Sequence, residues 1–350
     1  GVDRDKRVEV RLPFGVGRGI TTTITTRAAG GEIDYDSQLS GVMAFVYEAK
    51  SDNPEENELL AYHLFSNPSN KPLEGATGGW IADNDDPTCG EIKFYVPVGD
   101  VYIYLLGNAQ SSFLNFFPGV SGGDALGTQA EFFEKATPKW NGNIHSVDGY
   151  LPLTGMVNNN TGLCHVNEQG QISYTDEEGK THTLLPDGKH DEDNSFVLKR
   201  LMSKITMNIR EGKGVKFTAR DYTVRHIPHY VSPTAQAWTE EERDRILVED
   251  AKPVNFGLLD SLTFTIYLPE NIRKVRSGVE ITEYRQRDKV VKTADNKNTE
   301  ETAPDDFHAD NADNHKGHYK FEFAPKASTY IELTGWLKMQ TRRLLPMSVI

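Results

Sequence analysis

The sequence predicts an all-β protein, most simply β-sandwiches, on three observations. Apolar and polar residues alternate with a period of two in many short stretches. Those stretches are rich in β-branched and aromatic residues. The 30 glycines and 17 prolines of the 350-residue chain fall mostly between them. In chain order, Val8, Val10 and Leu12 alternate with Glu9 and Arg11, the pattern of a half-buried strand. Leu39 to Tyr47 is dense in strand formers. Ile92 to Val98 and Val101 to Leu106 flank Gly99-Asp100, which reads as a hairpin turn. Lys204 to Ile209, Val215 to Val224, Leu262 to Leu268, Tyr319 to Phe323 and Tyr330 to Leu333 continue the series. Helical signals are few. Pro54 to Phe65 reads as a short helix with Leu59, Leu60, His63 and Leu64 near one face. Thr239 and Glu242 form a capping-box pattern that starts a short helix to about Glu249.

A chain of 350 residues suggests two domains. Residues 167–195 are polar and carry the acidic run Lys189 to Asn194, after which Phe196 to Ile209 is strongly strand-like. The boundary is therefore placed near residue 195, giving domains 1–195 and 196–350. A second polar stretch, Lys292 to Gly317, reads as a long loop of the second domain.

Composition narrows the function. Lys and Arg number 38 against 51 Asp and Glu, a formal charge of −13, which repels phosphate backbones and argues against a nucleic-acid partner. The densest apolar run, Val101 to Leu106, is far shorter than a membrane-spanning helix needs. The charged opening, Gly1 to Arg7, has no hydrophobic signal region, so either the chain is cytosolic or an export signal has been removed. Cys89 and Cys164 lack metal-ligand spacing; in an exported protein they could form one disulfide, and the alternative is two inert buried thiols.

No enzyme signature emerges. There is no nucleophile elbow, P-loop or dinucleotide fingerprint, and Gly15-Val-Gly-Arg-Gly19 is not followed by the helix that phosphate binding requires. The donors between Asp305 and His318 match neither an EF-hand nor a zinc protease and read as a solvated acidic loop, as do Ala82 to Pro87 and Lys189 to Asn194. No catalytic residue, metal site or cofactor is assigned. Trp80, Trp140, Trp238 and Trp336 read as core or loop anchors rather than sugar platforms.

The N-terminal region is the most informative. Strand-like Val8 to Phe14 is followed by Gly15 to Ile20, then by the small, polar stretch Thr21 to Gly31, then by the strong strand ending at Tyr47. Such a middle stretch has the composition of an exposed loop that proteases attack, and Arg18 and Arg27 offer trypsin-type cleavage points; an ordinary N-terminal arm has the same composition.

Here the chain resembles the fimbrillin families of Bacteroidales, the major and minor subunits of type V pili, in particular tip- or anchor-like members. Thr26-Arg27-Ala28 ahead of Leu39 to Tyr47 resembles the maturation region. Val96-Pro-Val-Gly99 followed by Val101 to Ala109 resembles the family's hairpin ending in Gly-Asn, and Leu151 to Met156 its Thr-Gly turn. Phe196 to Ile209, Ile266 to Asn271 and Ala327 to Gly335 resemble further family strands, in the expected order across nearly the whole chain. The resemblance implies two tandem transthyretin-like β-sandwich domains and export as a lipoprotein precursor anchored to the outer membrane. It implies assembly with other fimbrial subunits by strand replacement: a protease cuts after Arg27, or secondarily Arg18, and releases a first strand near Val8 to Phe14. Val8, Val10 and Leu12 plug the groove until that release, and a strand from the neighbouring subunit then takes their place. Host glycan or protein is the further partner implied for a tip member. The family's C-terminal Arg-Asn-x-x-Tyr phrase is missing from Trp336 to Ile350, which implies a truncated or divergent last strand.

Overall fold

The computed structural model of the chain describes residues 1–17, 39–83, 86, 88–109, 114–115, 127–135, 139–140, 150–157, 161–186, 195–209, 215–225, 227–229, 231, 248–259, 261–268, 289–292, 300–301, 319–322, 330–339 and 344–349. The fold is all-β, as the alternating pattern predicts. Two compact units form, and among the described residues the division falls between Ser203 and Lys204, except that Val231 belongs to the first unit.

In chain order the first unit holds β1 (Asp3–Val16), β2 (Gly41–Glu48), β3 (Leu59–Ser66), β4 (Trp80–Ala82), β5 (Cys89–Gly107), β6 (Leu114–Asn115), helix α1 (Gln129–Lys135), β7 (Lys139–Trp140), β8 (Leu153–Gly155), β9 (Leu163–Val166), β10 (Ile172–Thr175), β11 (Thr181–Thr183) and β12 (Phe196–Arg200). The boundary expected near residue 195 lies some residues early. β12 belongs to the first unit because Phe196, Val197 and Leu198 pair in parallel with Phe14, Gly15 and Val16, and its other edge pairs with β8.

The long strand β5 organises this unit. Gly99-Asp100 is not a hairpin turn; β5 runs through it as one strand of 19 residues. Cys89 to Val98 pair with β1, whereas Val101 to Gly107 pair with β2 on one edge, and β9 and β8 take the other edge in succession. The path β1–β12–β8–β5 returns to β1 and closes on itself. Gly99 permits the passage: its φ is +130°, and a Cβ there would lie 2.8 Å from the Gly1 carbonyl oxygen and 2.8 Å from Val2 Cα. Turn chemistry and a mid-strand irregularity use the same residue, and only partners far along the chain decide between them.

The Pro54 to Phe65 helix does not form. Leu59 to Ser66 instead pair antiparallel with β2 along its length. The spacing of Leu59, Leu60, His63 and Leu64 suits one helical face, but Tyr62 and Phe65 are strand formers, and a partner rich in Val and Phe overrides the local period. The helix that does form, α1, carries a capping box not singled out above. Glu131 N donates to Thr128 Oγ1 at 3.2 Å, and Thr128 N donates to Glu131 Oε2 at 3.0 Å. It lays Phe132 against Tyr104 (centroids 4.8 Å apart, nearly parallel) and beside Phe45 and Tyr47, covering one face of β2 and β5. The opposite face faces the main core, where Val42, Ala44 and Val46 of β2 meet Ile103 and Leu105 of β5 and Phe196 and Leu198 of β12.

The second unit holds β13 (Ser203–Ile209), β14 (Val215–Arg225), β15 (Ile227–Pro228), β16 (Val248–Glu249), β17 (Val254–Leu259), β18 (Leu262–Leu268), β19 (Lys289–Lys292), β20 (Glu300–Glu301), β21 (Tyr319–Glu322), β22 (Tyr330–Met339) and β23 (Leu344–Val349). A four-stranded sheet runs β17–β14–β22–β23, and β13 pairs with β18. The Tyr222 ring of β14 stacks on Phe264 of β18 at 3.9 Å and joins the two sheets. Arg225 grips Glu332 of β22 and Asp250. The expected helix from Thr239 lies outside the described residues except for Val248 and Glu249, which are strand.

Candidate functional site: the seat of the first strand

β1 reads DRDKRVEVRLPFGV and splits into two parts by chemistry. Its opening is charged and exposed. From Val8 onward the alternate residues turn inward: Val10, Leu12 and Phe14 are each 0% exposed, and Val8 and Val16 pack partly buried against the same core. Val8, Val10 and Leu12 thus sit on the inward face. The same period of two also reaches Phe14, although Pro13 and Gly15 on either side read as a strand ending. Its ring meets Trp80 edge-on, with centroids 5.0 Å apart.

The backbone of β1 is paired along one edge from Arg7 to Gly15, all with β5, and at Phe14 to Val16 along the other, with β12. At the end of the strand Val16 N donates to Thr88 O (3.0 Å), and just past it Gly17 N donates to Leu198 O (2.9 Å) and Arg200 donates to Gly17 O (2.9 Å). The strand is therefore held by non-covalent contacts up to Gly17, the residue before Arg18. Arg18 and Arg27 lie outside the described residues.

The turn between β9 and β10 covers β1 near its middle. Gly170, at φ +76°, sits so close that a Cβ there would fall 2.0 Å from the Glu9 carbonyl oxygen. The neighbouring Glu168 meets Lys6 at 2.7 Å.

Ion pairs line the wet face of the joint. Arg11 bonds the buried Glu91 carboxylate of β5, with Nε to Oε2 at 2.8 Å, and Lys93 meets Glu9 at 3.1 Å. Arg4 bonds both Glu48 of β2 and Glu58, which holds the Arg4 guanidinium above its ordinary value. Apart from the buried Glu91, these groups are screened by solvent, and each such pair contributes little. Burial of Val10, Leu12 and Phe14 contributes roughly 1.5–3 kcal/mol each before ordering costs. The apolar side therefore sets how tightly the strand is held.

The Arg4 clamp makes the strand's opening sensitive to acid. The hydrogen bond from Arg4 holds the Glu58 carboxyl below its ordinary value. A depressed acid stabilises the fold above its unfolded-state value, and that contribution is lost as the pH falls through the lower folded-state value. Below an ordinary glutamate value of about 4.3, amide protection of Asp3 to Lys6 should drop while that of Val10 to Phe14 persists. Hydrogen exchange followed by NMR checks this, and Arg4→Ala should remove the pH step. Unchanged protection of Asp3 to Lys6 across the range would count against the clamp.

The cysteines do not come together. Cys89 opens β5 opposite Gly15, whereas Cys164 lies opposite Val101 in the other half of β5, and both are free thiols. The possible disulfide does not form because Cys89 opens β5, whereas Cys164 sits on β9 beside the far half of β5. Burial pushes the Cys89 thiol up to about 11 and raises that of Cys164 as well, so neither is a ready nucleophile.

Among the described residues no group of three or more His, Cys, Asp or Glu is placed to hold a metal ion. The acidic stretches 189–194 and 305–318 lie outside the described residues. No described helix is long and apolar enough to cross a membrane.

No family model matches the chain, and no curated protein matches it. Among solved structures it is similar to two proteins of Parabacteroides distasonis provisionally described as cell adhesion proteins. One has a TM-score of 0.43 at 10% identity, covering 98% of this chain and 82% of that one. The other has a TM-score of 0.40 at 10% identity, covering 97% and 79%. A Bacteroides ovatus protein provisionally described as an adhesin has a TM-score of 0.36 at 8% identity, covering 99% and 84%. These scores are low, and none of the three carries weight for what this chain does.

Proposed function

We propose that the chain is a structural subunit of a cell-surface fimbrium, assembled by protease-triggered strand exchange. A protease cuts after Arg27 or Arg18, β1 leaves, and a strand from a neighbouring subunit takes its place. The precursor reaches the outer membrane through a lipid anchor, and the subunit contributes to adhesion at a tip or accessory position. The chain performs no catalysis of its own.

The observation that supports this reading is the seat of β1. The first strand in sequence closes the ring of the first unit, yet it connects to β2 only through the segment that carries both arginines. Removing it leaves two unpaired edges, Cys89 to Val98 and Phe196 to Leu198, above an apolar groove. Unpaired edges of this kind recruit an added strand, with backbone bonds giving affinity and alternate side-chain pockets giving specificity. Many bonds broken together make such a joint slow to dissociate.

Limited trypsin digestion tests the maturation step. The expected first cuts follow Arg18 or Arg27 and leave both units folded, with β1 still attached at neutral pH. Mass spectrometry of the early fragments reads the sites. First cleavage between the units, with both arginines spared, would overturn the maturation reading.

A further inference from the structure

We propose that the outer face of β5, β9 and β10 carries a binding site for a neutral saccharide, independent of strand exchange. Asp100 and Tyr102 of β5, Leu163 and His165 of β9, and Ser173 of β10 form its floor, and Asp52 stands on its rim. They line a cavity of about 440 Å³, within the range of about 300–1,000 Å³ usual for small-ligand sites.

The floor follows from the strand period. Val101 and Ile103 of β5, Cys164 and Val166 of β9, and Ile172 and Tyr174 of β10 point into the core, so the intervening residues point out. Register puts Asp100 opposite His165, and His165 opposite Ser173, in one row across three strands. Helix α1 covers the neighbouring part of β5 at Tyr104 and leaves this part open.

The chemistry selects the ligand. β5, β9 and β10 are each paired on both sides here, so no strand edge is available and a peptide cannot add as a further strand. Recognition falls to side chains, and these are mostly acceptors. His165 Nδ1 lies 2.8 Å from Asp100 Oδ1. The carboxylates of Asp100 and Asp52 add acceptors on the floor and the rim. Asp52 makes no ion pair among the described residues, and burial, with a smaller contribution from the Asp52 charge, raises the Tyr102 phenol. A row of acceptors suits a ligand rich in hydroxyl donors. The half-buried Tyr102 ring and the 37%-exposed Leu163 offer an apolar surface for the C–H face of a pyranose. Two carboxylates against the rim ammonium of Lys50 disfavour an anionic ligand.

The rim is built in advance. Asn57, 0% exposed, accepts from the N–H groups of Lys50 (3.0 Å) and Ser51 (3.1 Å) and donates to Ser51 O (3.0 Å) and Gln129 Oε1 (2.6 Å). Ala49 N donates to Asp100 O at 3.1 Å and ties the rim to the floor. A rim held this firmly loses little freedom when a ligand binds.

The test is saturation-transfer NMR and calorimetry on the full chain, with maltose, lactose and mannobiose as probes and sialyllactose as the anionic comparison. At least one neutral disaccharide should bind, and Asp52→Asn and Tyr102→Ala should each weaken it roughly tenfold or more. Tyr95→Ala, an exposed aromatic outside the cavity, should change nothing. Because Tyr102 stacks against Tyr104, the surface variant Asp52→Asn is the one expected to leave the fold intact. Three results would overturn the proposal: no neutral probe binding at millimolar concentration, binding undiminished in both variants, or sialyllactose binding best.

Discussion

A chain cut after Arg27 and stripped of residues 1–27 in mild denaturant takes up a synthetic peptide spanning Asp3–Val16 and reverts to its original stability. That is the expected result with the largest effect, and it tests strand exchange without knowledge of the natural donor. The peptide restores pairing along Arg7 to Gly15 with β5 and along Phe14 to Val16 with β12, and it refills the pocket beside Trp80. A peptide with Asp at the Val10 and Leu12 positions should bind at least about 100-fold more weakly, since each lost burial costs roughly 1.5 kcal/mol or more. Fluorescence anisotropy of a labelled peptide measures both, and the off-rate of the native peptide should be slow. If the stripped chain stays folded and monomeric and ignores the native peptide, β1 is an ordinary structural strand and the proposed assembly fails.

The second large effect concerns stability. Phe14→Ala should destabilise the first unit by about 3–5 kcal/mol, because a fully buried ring is lost from a closed core. Leu12→Asp should cost more, since a carboxylate would be buried with no partner on the inward face of β1. Tyr95→Ala, on the exposed side of the same joint at 56% exposure, should stay within about 0.5 kcal/mol. Urea unfolding followed by tryptophan fluorescence checks the series, with Trp80 reporting directly on the Phe14 pocket. A Phe14→Ala loss below about 1 kcal/mol would mean that the groove relaxes around the vacancy, and the plug would be a weak one.

The two effects share a cause that also limits what a sequence discloses. Alternation in Val8 to Phe14, Gly41 to Glu48, Val215 to Arg225 and Leu262 to Leu268 marks each strand and the side it buries, because side-chain direction is a local property of extended backbone. The inward face of Val8, Val10 and Leu12 is legible on the same ground, and the same period of two reaches Phe14. The saccharide site was not legible. Asp52, Asp100, His165 and Ser173 lie scattered along the chain with no motif among them, and only register across β5, β9 and β10 sets them in one place.

What the sequence alone determined is therefore the all-β class, the inward face of β1 and the composition of the arginine-bearing segment after it. Tertiary structure decided that Gly99 continues a strand, that Leu59 to Ser66 pair with β2 instead of coiling, that Cys89 and Cys164 stay apart, and that the first strand lies between β5 and the last strand of its unit. Each of these choices turns on which distant backbone supplies the hydrogen bonds. Local period and turn chemistry are indifferent to that question, and partner strands answer it only once the chain has closed on itself.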